Sequence, residues 1–287
     1  MRAETRRRWA IAGLTGPAYL WLTLTIFLPL SAMLWFSFQK KGPFGRHESE
    51  FTLKHYEAFF NKAYMQDLTW RSLEMGLQVT GICLLLGFPA AYVLAKRIRG
   101  RWREALFLLV VLPFWSNALV RIFSWTVVLR PGGVLDGAVQ FVWPGAPSID
   151  LADSWSAVII GLVHSYLPYM ILTCYLSLQA IDDSLIEAAR SLGASAMTIL
   201  WRIVLPLAIP GLAAGAVLIF VPVIGSFFEP KLLGGTQGVV IGTVIEEQFT
   251  VVSNWPLGGA LSFILLAIVL LVLAVSYPFL KDRMRTT

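Results

Sequence analysis

Aromatic faces and carboxylates are the groups that replace the water around a cation in a low-dielectric setting. The sequence offers both. Phe114, Trp115, Tyr166, Tyr169, Phe227 and Phe228 supply the faces, and Glu229, Glu246 and Glu247 the carboxylates. Trp115 and Asn117 stand out, because an amide beside an indole in an apolar stretch is costly unless it faces a polar interior. Arg121 is the one charge of its stretch; it either snorkels outward or forms an ion pair, for which Glu229 is the plausible partner. Groups for bond-making chemistry are scattered. His47, His55 and His164 form no cluster, and Cys83 and Cys174 sit in apolar runs without a metal-ligand spacing, which makes them packing residues. No nucleophile–base pair is evident, and no Gly-x-x-x-x-Gly-Lys-Ser/Thr phosphate loop is present. The expectation is no catalytic residue, no metal and no cofactor.

The elements that must position these residues follow from composition. Of 287 residues, 57% are apolar and 14% charged, with mean hydropathy +0.69. A soluble domain carries about 25% charged residues. The deficit excludes a disordered chain, a disulfide-framed secreted domain and a free nucleic-acid binder. It is concentrated in charge-free runs at 13–38, 75–95, 154–181, 203–228 and 248–280, with one further run, 105–129, interrupted by Arg121 alone. Each is long enough for the roughly 20 residues a membrane-spanning helix needs. The first run lacks a small-residue cleavage site and continues through Trp35, so it reads as an uncleaved span and not as a signal peptide. The pattern predicts an all-α polytopic membrane protein with six spans near 13–38, 73–95, 105–129, 155–179, 205–228 and 258–280.

Orientation follows from Lys and Arg. With both termini cytoplasmic, the segments 1–12, 96–104, 180–204 and 281–287 hold fourteen basic residues, against eight in the outer loops 39–72, 130–154 and 229–257. The strongest vote is Lys96-Arg97-Ile98-Arg99-Gly100-Arg101-Trp102-Arg103, since basic residues collect on the cytoplasmic side. Asp136, Asp150, Asp153, Glu229, Glu246 and Glu247 then give the outer side an acidic lining. The Gly-rich loop 229–257 is expected to cap a cavity, because irregular backbone near a membrane needs protein or water around it.

The connection between the fourth and fifth spans is the most informative stretch. Leu185, Ala188, Ala189 and Leu192 follow the i, i+3, i+4, i+7 spacing of a helix face. Gly193 supplies a turn, Ser195 caps a second short helix, and Met197, Leu200, Trp201 and Val204 repeat the spacing. Pro206 and Pro210 mark re-entry into the membrane. Asp182, Asp183 and Glu187 argue against an interfacial helix lying on anionic lipid, so segment 182–206 reads as a docking site for a soluble partner.

At these residues a resemblance is clear. Glu187-Ala188-Ala189, Gly193, Ile203 and Leu205-Pro206 resemble, at every fixed position, the EAA signature of binding-protein-dependent ABC importer permeases. The resemblance implies a MetI-like type I architecture, with 13–280 as the permease domain between cytoplasmic termini at 1–12 and 281–287. It implies two ATPase subunits, a second homologous permease subunit, a periplasmic substrate-binding protein and a bacterial inner-membrane location, without nucleic acid. Glu187, Ala188, Ala189, Arg190 and Gly193 would then carry coupling to the ATPase.

A narrower resemblance, to the spermidine/putrescine permease subfamily, rests on Leu112 to Arg121, on Leu232-Leu233-Gly234-Gly235 with Ile241-Gly242, and on Trp255-Pro256. It makes Trp115, Asn117, Arg121, Tyr166, Phe227, Glu229 and Trp255 pathway candidates. Lys231 and Asn254 stand where acidic residues are expected, which leaves another small solute, an amino-acid-derived or phosphonate compound, as the alternative. An ion-coupled secondary carrier is the competing class, but neither inverted repeats nor a midplane carboxylate is evident.

Overall fold

The structure, a computed structural model, describes residues 2–41 and 47–285, with side chains at 15–40 and 50–277. The basic side chains of 1–12 and 281–287 that voted for orientation therefore lie outside the described side chains, and residues 286 and 287 outside the described residues. Among the described residues the chain is helical apart from one antiparallel hairpin. Among the described residues five helices are long and apolar enough to cross a membrane, or six if one bent pair is counted as a single span. The chain divides into two compact units, Met1–Ala63 with Ile245–Leu266, and Tyr64–Val244 with Ala267–Thr287.

In the first unit, α1 (Arg2–Ser37) is followed by β1 (Gln39–Lys41), β2 (His47–Phe51) and α2 (Lys54–Asn61). Phe38 stacks on Phe51 and Tyr56 at centroid distances of 5.2 and 5.3 Å, and the Ser37 and Tyr56 hydroxyls lie 2.8 Å apart. These contacts fold the start of the outer loop onto the end of α1. Trp21, Phe27 and Trp35 are exposed, a surface that lipid or another membrane chain covers.

In the second unit, α3 (Ala63–Tyr92) runs into a π-helical turn, Val93–Arg97. Its start is ten residues earlier than the sequence predicts, because Asp67 and Arg71 end the apolar run without ending the helix. Next come α4 (Arg101–Val111), α5 (Ala118–Leu129), α6 (Val134–Val142) and α7 (Trp155–Gln179). Two short helices, α8 (Asp183–Ser191) and α9 (Ala196–Ile199), precede α10 (Leu205–Ile224) and α11 (Phe228–Leu233). Of the last two helices, α12 (Ile241–Thr250) and α13 (Trp255–Arg285), the residues Ile245–Leu266 belong to the first unit and the rest to the second. The loop read as 229–257 is thus largely helical.

Helix α7 is the packing centre, with Val158, Leu162, Met170, Cys174 and Leu178 buried. Small residues let α10 approach it. A Cβ on Gly211 would sit 2.7 Å from the Thr173 carbonyl oxygen, and one on Gly215 would sit 2.7 Å from Met170 Sδ. This spacing of small residues replaces a hydrophobic drive that lipid does not provide.

The third predicted span is not one helix. The segments Arg101–Trp115 and Ala118–Leu129 meet at 96°. Leu112–Trp115 tightens into a 3₁₀ turn around Pro113, and the Asn117 side chain accepts from the Leu119 N–H at 2.8 Å, starting α5 afresh.

Candidate functional site

The segment 182–206 is built from two capped helices. Asp182 accepts from the Ser184 N–H at 2.9 Å and starts α8; Ser195 Oγ accepts from the Thr198 N–H at 3.2 Å and starts α9. Between them Gly193 has φ +80°, a conformation an L side chain resists, which sets the angle of the elbow. Glu187, Ala188 and Arg190 are exposed and Ala189 is half-buried. The face predicted from spacing exists, but most of it turns away from the protein. Leu185, Met197 and Trp201 are exposed and Leu192 is 88% exposed, while Ile186, Ile199 and Val204 anchor the elbow in the core. Four large apolar side chains of one elbow are thus exposed, with Trp201 Nε1 donating to Met197 Sδ at 3.0 Å.

A residue that sequence reasoning assigned to topology positions this elbow. Lys96 Nζ donates at 2.6 Å to the Ile181 carbonyl and at 2.6 Å to Asp183 Oδ1, and its side chain is only 7% exposed. The hydrogen bond from Lys96 and its charge hold the Asp183 carboxyl below the usual carboxylate range. The signal available in sequence was a lysine at the cytoplasmic end of a span, which basic loop residues mimic.

The pathway candidates fall into two groups. Tyr166 lies within electrostatic reach of Glu229, Tyr169 and Arg121. Phe114 meets Tyr169 edge-on at 4.5 Å, Tyr166 and Tyr169 are 6.0 Å apart, and Phe227 stacks on Phe228 at 4.4 Å. Because α11 packs on α5 and α7, Glu229, Arg121 and this aromatic cluster converge. Trp255 belongs to the other compact unit, at the start of α13, edge-on to Phe249 at 5.7 Å. Asn254 Oδ1 faces the Leu257 N–H at 3.4 Å there, a capping role that Asn fills as well as Asp does.

Two sequence expectations are corrected. Arg121 makes no ion pair with Glu229 among the described residues. Its Nη1 donates to the Pro113 carbonyl at 3.0 Å, while Glu229 accepts from the Ser226 hydroxyl at 2.7 Å. The break before α5 leaves that carbonyl without a helical partner, and Arg121 supplies one. Asn117 is likewise satisfied as a cap, so its amide needs no polar pathway to justify it, and Trp115 is 90% exposed. The second correction concerns the acidic outer lining. Asp136 is 4% exposed and accepts from the N–H groups of Ile149 and Gly132 and from Ser148. Those bonds, from Ile149 and Gly132 foremost, lower its pKa, and the residue organises loop 130–150 instead of facing outward.

Sequence reasoning also missed a polar cluster at the start of α7. Trp155 Nε1 donates to Gln78 Oε1 at 2.9 Å, Arg71 stacks over the Trp155 ring at 5.4 Å and donates to the Gln237 carbonyl at 3.0 Å. A second cleft, about 430 Å³, is bounded by Pro113, Ser116, Arg121, Trp125 and His164, with Trp125 Nε1 donating to His164 Nδ1 at 3.2 Å.

The fold is that of a helical, polytopic membrane chain with an exposed elbow between α7 and α10. The chain belongs to the family described as binding-protein-dependent transport system inner membrane component, whose model matches residues 85–286. It is thus a non-catalytic, inner-membrane permease subunit of an ABC importer. Among curated relatives it is similar to the spermidine/putrescine transport system permease protein PotB of Haemophilus influenzae, 37% identical over 257 residues, covering 90% of this chain and 89% of the relative. The PotB of Escherichia coli K12 is 37% identical over 255 residues (89% and 92%), and the inner membrane ABC transporter permease YdcU of that organism 30% over 273 (91% and 86%). Among solved structures, a chain of a bacterial ABC transporter that imports the acidic polysaccharide alginate has the same fold, with TM-score 0.76, 18% identity and 98% coverage of both chains. The MetNI methionine ABC transporter in an inward-facing form gives TM-score 0.58 at 17% identity, covering 76% of this chain and 95% of that one.

Proposed function

We propose that this chain forms half of the translocation pathway of a polyamine importer, passing spermidine or putrescine from a periplasmic binding protein to the cytoplasm. The observation that carries the substrate class is the 37% identity to PotB permeases across 90% of the chain. Both termini are cytoplasmic in this reading. A second, homologous permease subunit supplies the other half, and two ATPase subunits drive the cycle.

In the reading proposed, the elbow of α8 and α9 seats in a groove of one ATPase subunit. Leu185, Leu192, Met197 and Trp201 fill it, Glu187 fixes its register, and Ala188, Ala189 and Gly193 permit close approach. ATPase closure then pulls on α10 through Ile199 and Val204, both buried. The cationic solute is desolvated against Tyr166 and Phe227, with Glu229 as counter-charge. Each aromatic face contributes about 0.5–2 kcal/mol, according to how dry it is. Arg121 holds the α4–α5 break in shape through the Pro113 carbonyl, and Asn117 and Trp115 define the two sides of that break. An anionic or zwitterionic solute is the second reading, favoured by the Arg121 guanidinium standing without an acidic partner among the described residues.

The coupling half is tested by ATPase stimulation with spermidine-loaded binding protein in the assembled complex. Glu187→Ala and Gly193→Val are expected to lose stimulation while keeping the complex intact. Unchanged stimulation in both removes the elbow from that role.

A further inference from the structure

The π turn Val93–Arg97 lines two clefts of opposite character. One, about 250 Å³, is bounded by Tyr92, Lys96, Arg97, Arg99, Glu187 and Arg190, with Asp183 on its rim. Four cations, Lys96, Arg97, Arg99 and Arg190, line this cleft against two carboxylates, Asp183 and Glu187. Lys96 is already engaged by Asp183 and the Ile181 carbonyl, so the cleft keeps a net positive charge carried by the arginines. The other, about 410 Å³, is apolar and bounded by Val93, Leu94, Ile98, Leu106, Leu109 and Val110. Their lining residues interleave over 92–99, so the clefts lie within about 10 Å of each other at 1.5 Å of rise per residue. Beside them stands Trp102, 75% exposed at the start of α4 between Arg101 and Arg103, the residue type that marks a membrane interface.

An amphiphile with an anionic head matches both clefts at once. We infer that they bind one anionic phospholipid of the cytoplasmic leaflet, its headgroup phosphate against Arg97, Arg99 and Arg190 and an acyl chain along Val93, Ile98 and Leu109. Guanidinium groups match phosphate oxygens in fixed, paired geometry. A zwitterionic headgroup would bring its own ammonium up to three arginines, so charge selects an anionic lipid such as phosphatidylglycerol. Arg190 and Glu187 belong to α8, so the lipid ties the coupling elbow to the leaflet. The leaflet assignment rests on the orientation proposed above; the binding chemistry does not.

The test is native mass spectrometry of the assembled complex, with ATPases, second permease and this chain, released from nanodiscs of mixed phosphatidylcholine and phosphatidylglycerol. The wild-type complex is expected to retain one phosphatidylglycerol whose bound fraction falls on the order of tenfold in Arg97→Gln/Arg99→Gln. Leu109→Trp, which fills the apolar cleft and leaves every charge in place, is expected to lose it too. Equal retention in all three complexes, or retention only when the ATPases are absent, overturns the proposal. Stripping of the lipid by inorganic phosphate also overturns it, since that marks a free-phosphate site. A complex that imports polyamine without arginine-dependent retention loses this inference alone. One that retains the lipid but imports no polyamine loses the substrate reading alone.

Discussion

Lys96→Met removes a cation, its side chain 7% exposed, that braces the elbow of α8 and α9. The bond to the Ile181 carbonyl is charge-assisted and shielded, worth about 1.5–3 kcal/mol. The pair with Asp183 counts for less, because that carboxylate is 58% exposed and salt screens it, leaving about 0.2–1 kcal/mol. Together the substitution costs roughly 2–4 kcal/mol of elbow docking, a thirty- to thousandfold larger open population at about 1.4 kcal/mol per factor of ten. Hydrogen exchange of the amides in 182–192, in the nanodisc-embedded complex, reads that population directly. Asp183→Asn is the internal control, since it leaves the carbonyl bond and is expected to raise exchange by less than about fivefold. Equal exchange in the two variants, or no change in Lys96→Met, refutes the assignment of the brace to the buried bond.

Other expectations follow from the same contacts. Gly215→Leu is expected to cost at least 1–3 kcal/mol through overpacking of α10 on α7, read as a lowered melting temperature or membrane abundance; wild-type stability would mean the helices are not in contact there. For Asp136 the folded pKa is depressed, so its contribution is complete above the unfolded value near 3.9 and is lost as pH falls through the lowered folded value. Protection of loop 130–150 should thus be flat from pH 8 to about 5, with Asp136→Asn exchanging faster throughout that range. Faster exchange of wild type on going from pH 8 to 6 would contradict this. Arg121→Ala is expected to impair uptake at normal abundance and Arg121→Lys to preserve part of it; full uptake by the Ala variant removes Arg121 from the pathway.

The sequence announced the elbow more clearly than anything else, because helix spacing, a glycine and a cap coincide between 182 and 206. The stripe it assigned to a partner is largely exposed, while the anchors Ile186 and Ile199 lie off it. Spacing marks an apolar stripe without saying whether the stripe meets the core or a partner, and here Ile186 and Ile199 turn inward while Leu192 and Met197 turn out. The α4–α5 break was hidden because Pro113 inside a membrane helix is tolerated when neighbours satisfy the freed backbone. In retrospect Pro113 followed four residues later by the capping Asn117 was a stop-and-start signal. Asp136 read as an outer carboxylate because its partners are backbone N–H groups, which leave no trace in residue type. Long-range pairs such as Lys96 with Asp183 and Trp155 with Gln78 depend on tertiary approach that no local pattern encodes.

The central claim is ATP-driven polyamine import through this chain. The direct measurement is uptake of labelled spermidine and putrescine into proteoliposomes holding this chain, its second permease, the ATPases and the binding protein. Accumulation that requires internal-face ATP and is lost in Gly193→Val is the expected result. ATP hydrolysis without movement of either polyamine would contradict the substrate assignment, and uptake driven by an ion gradient without ATP would contradict the importer itself.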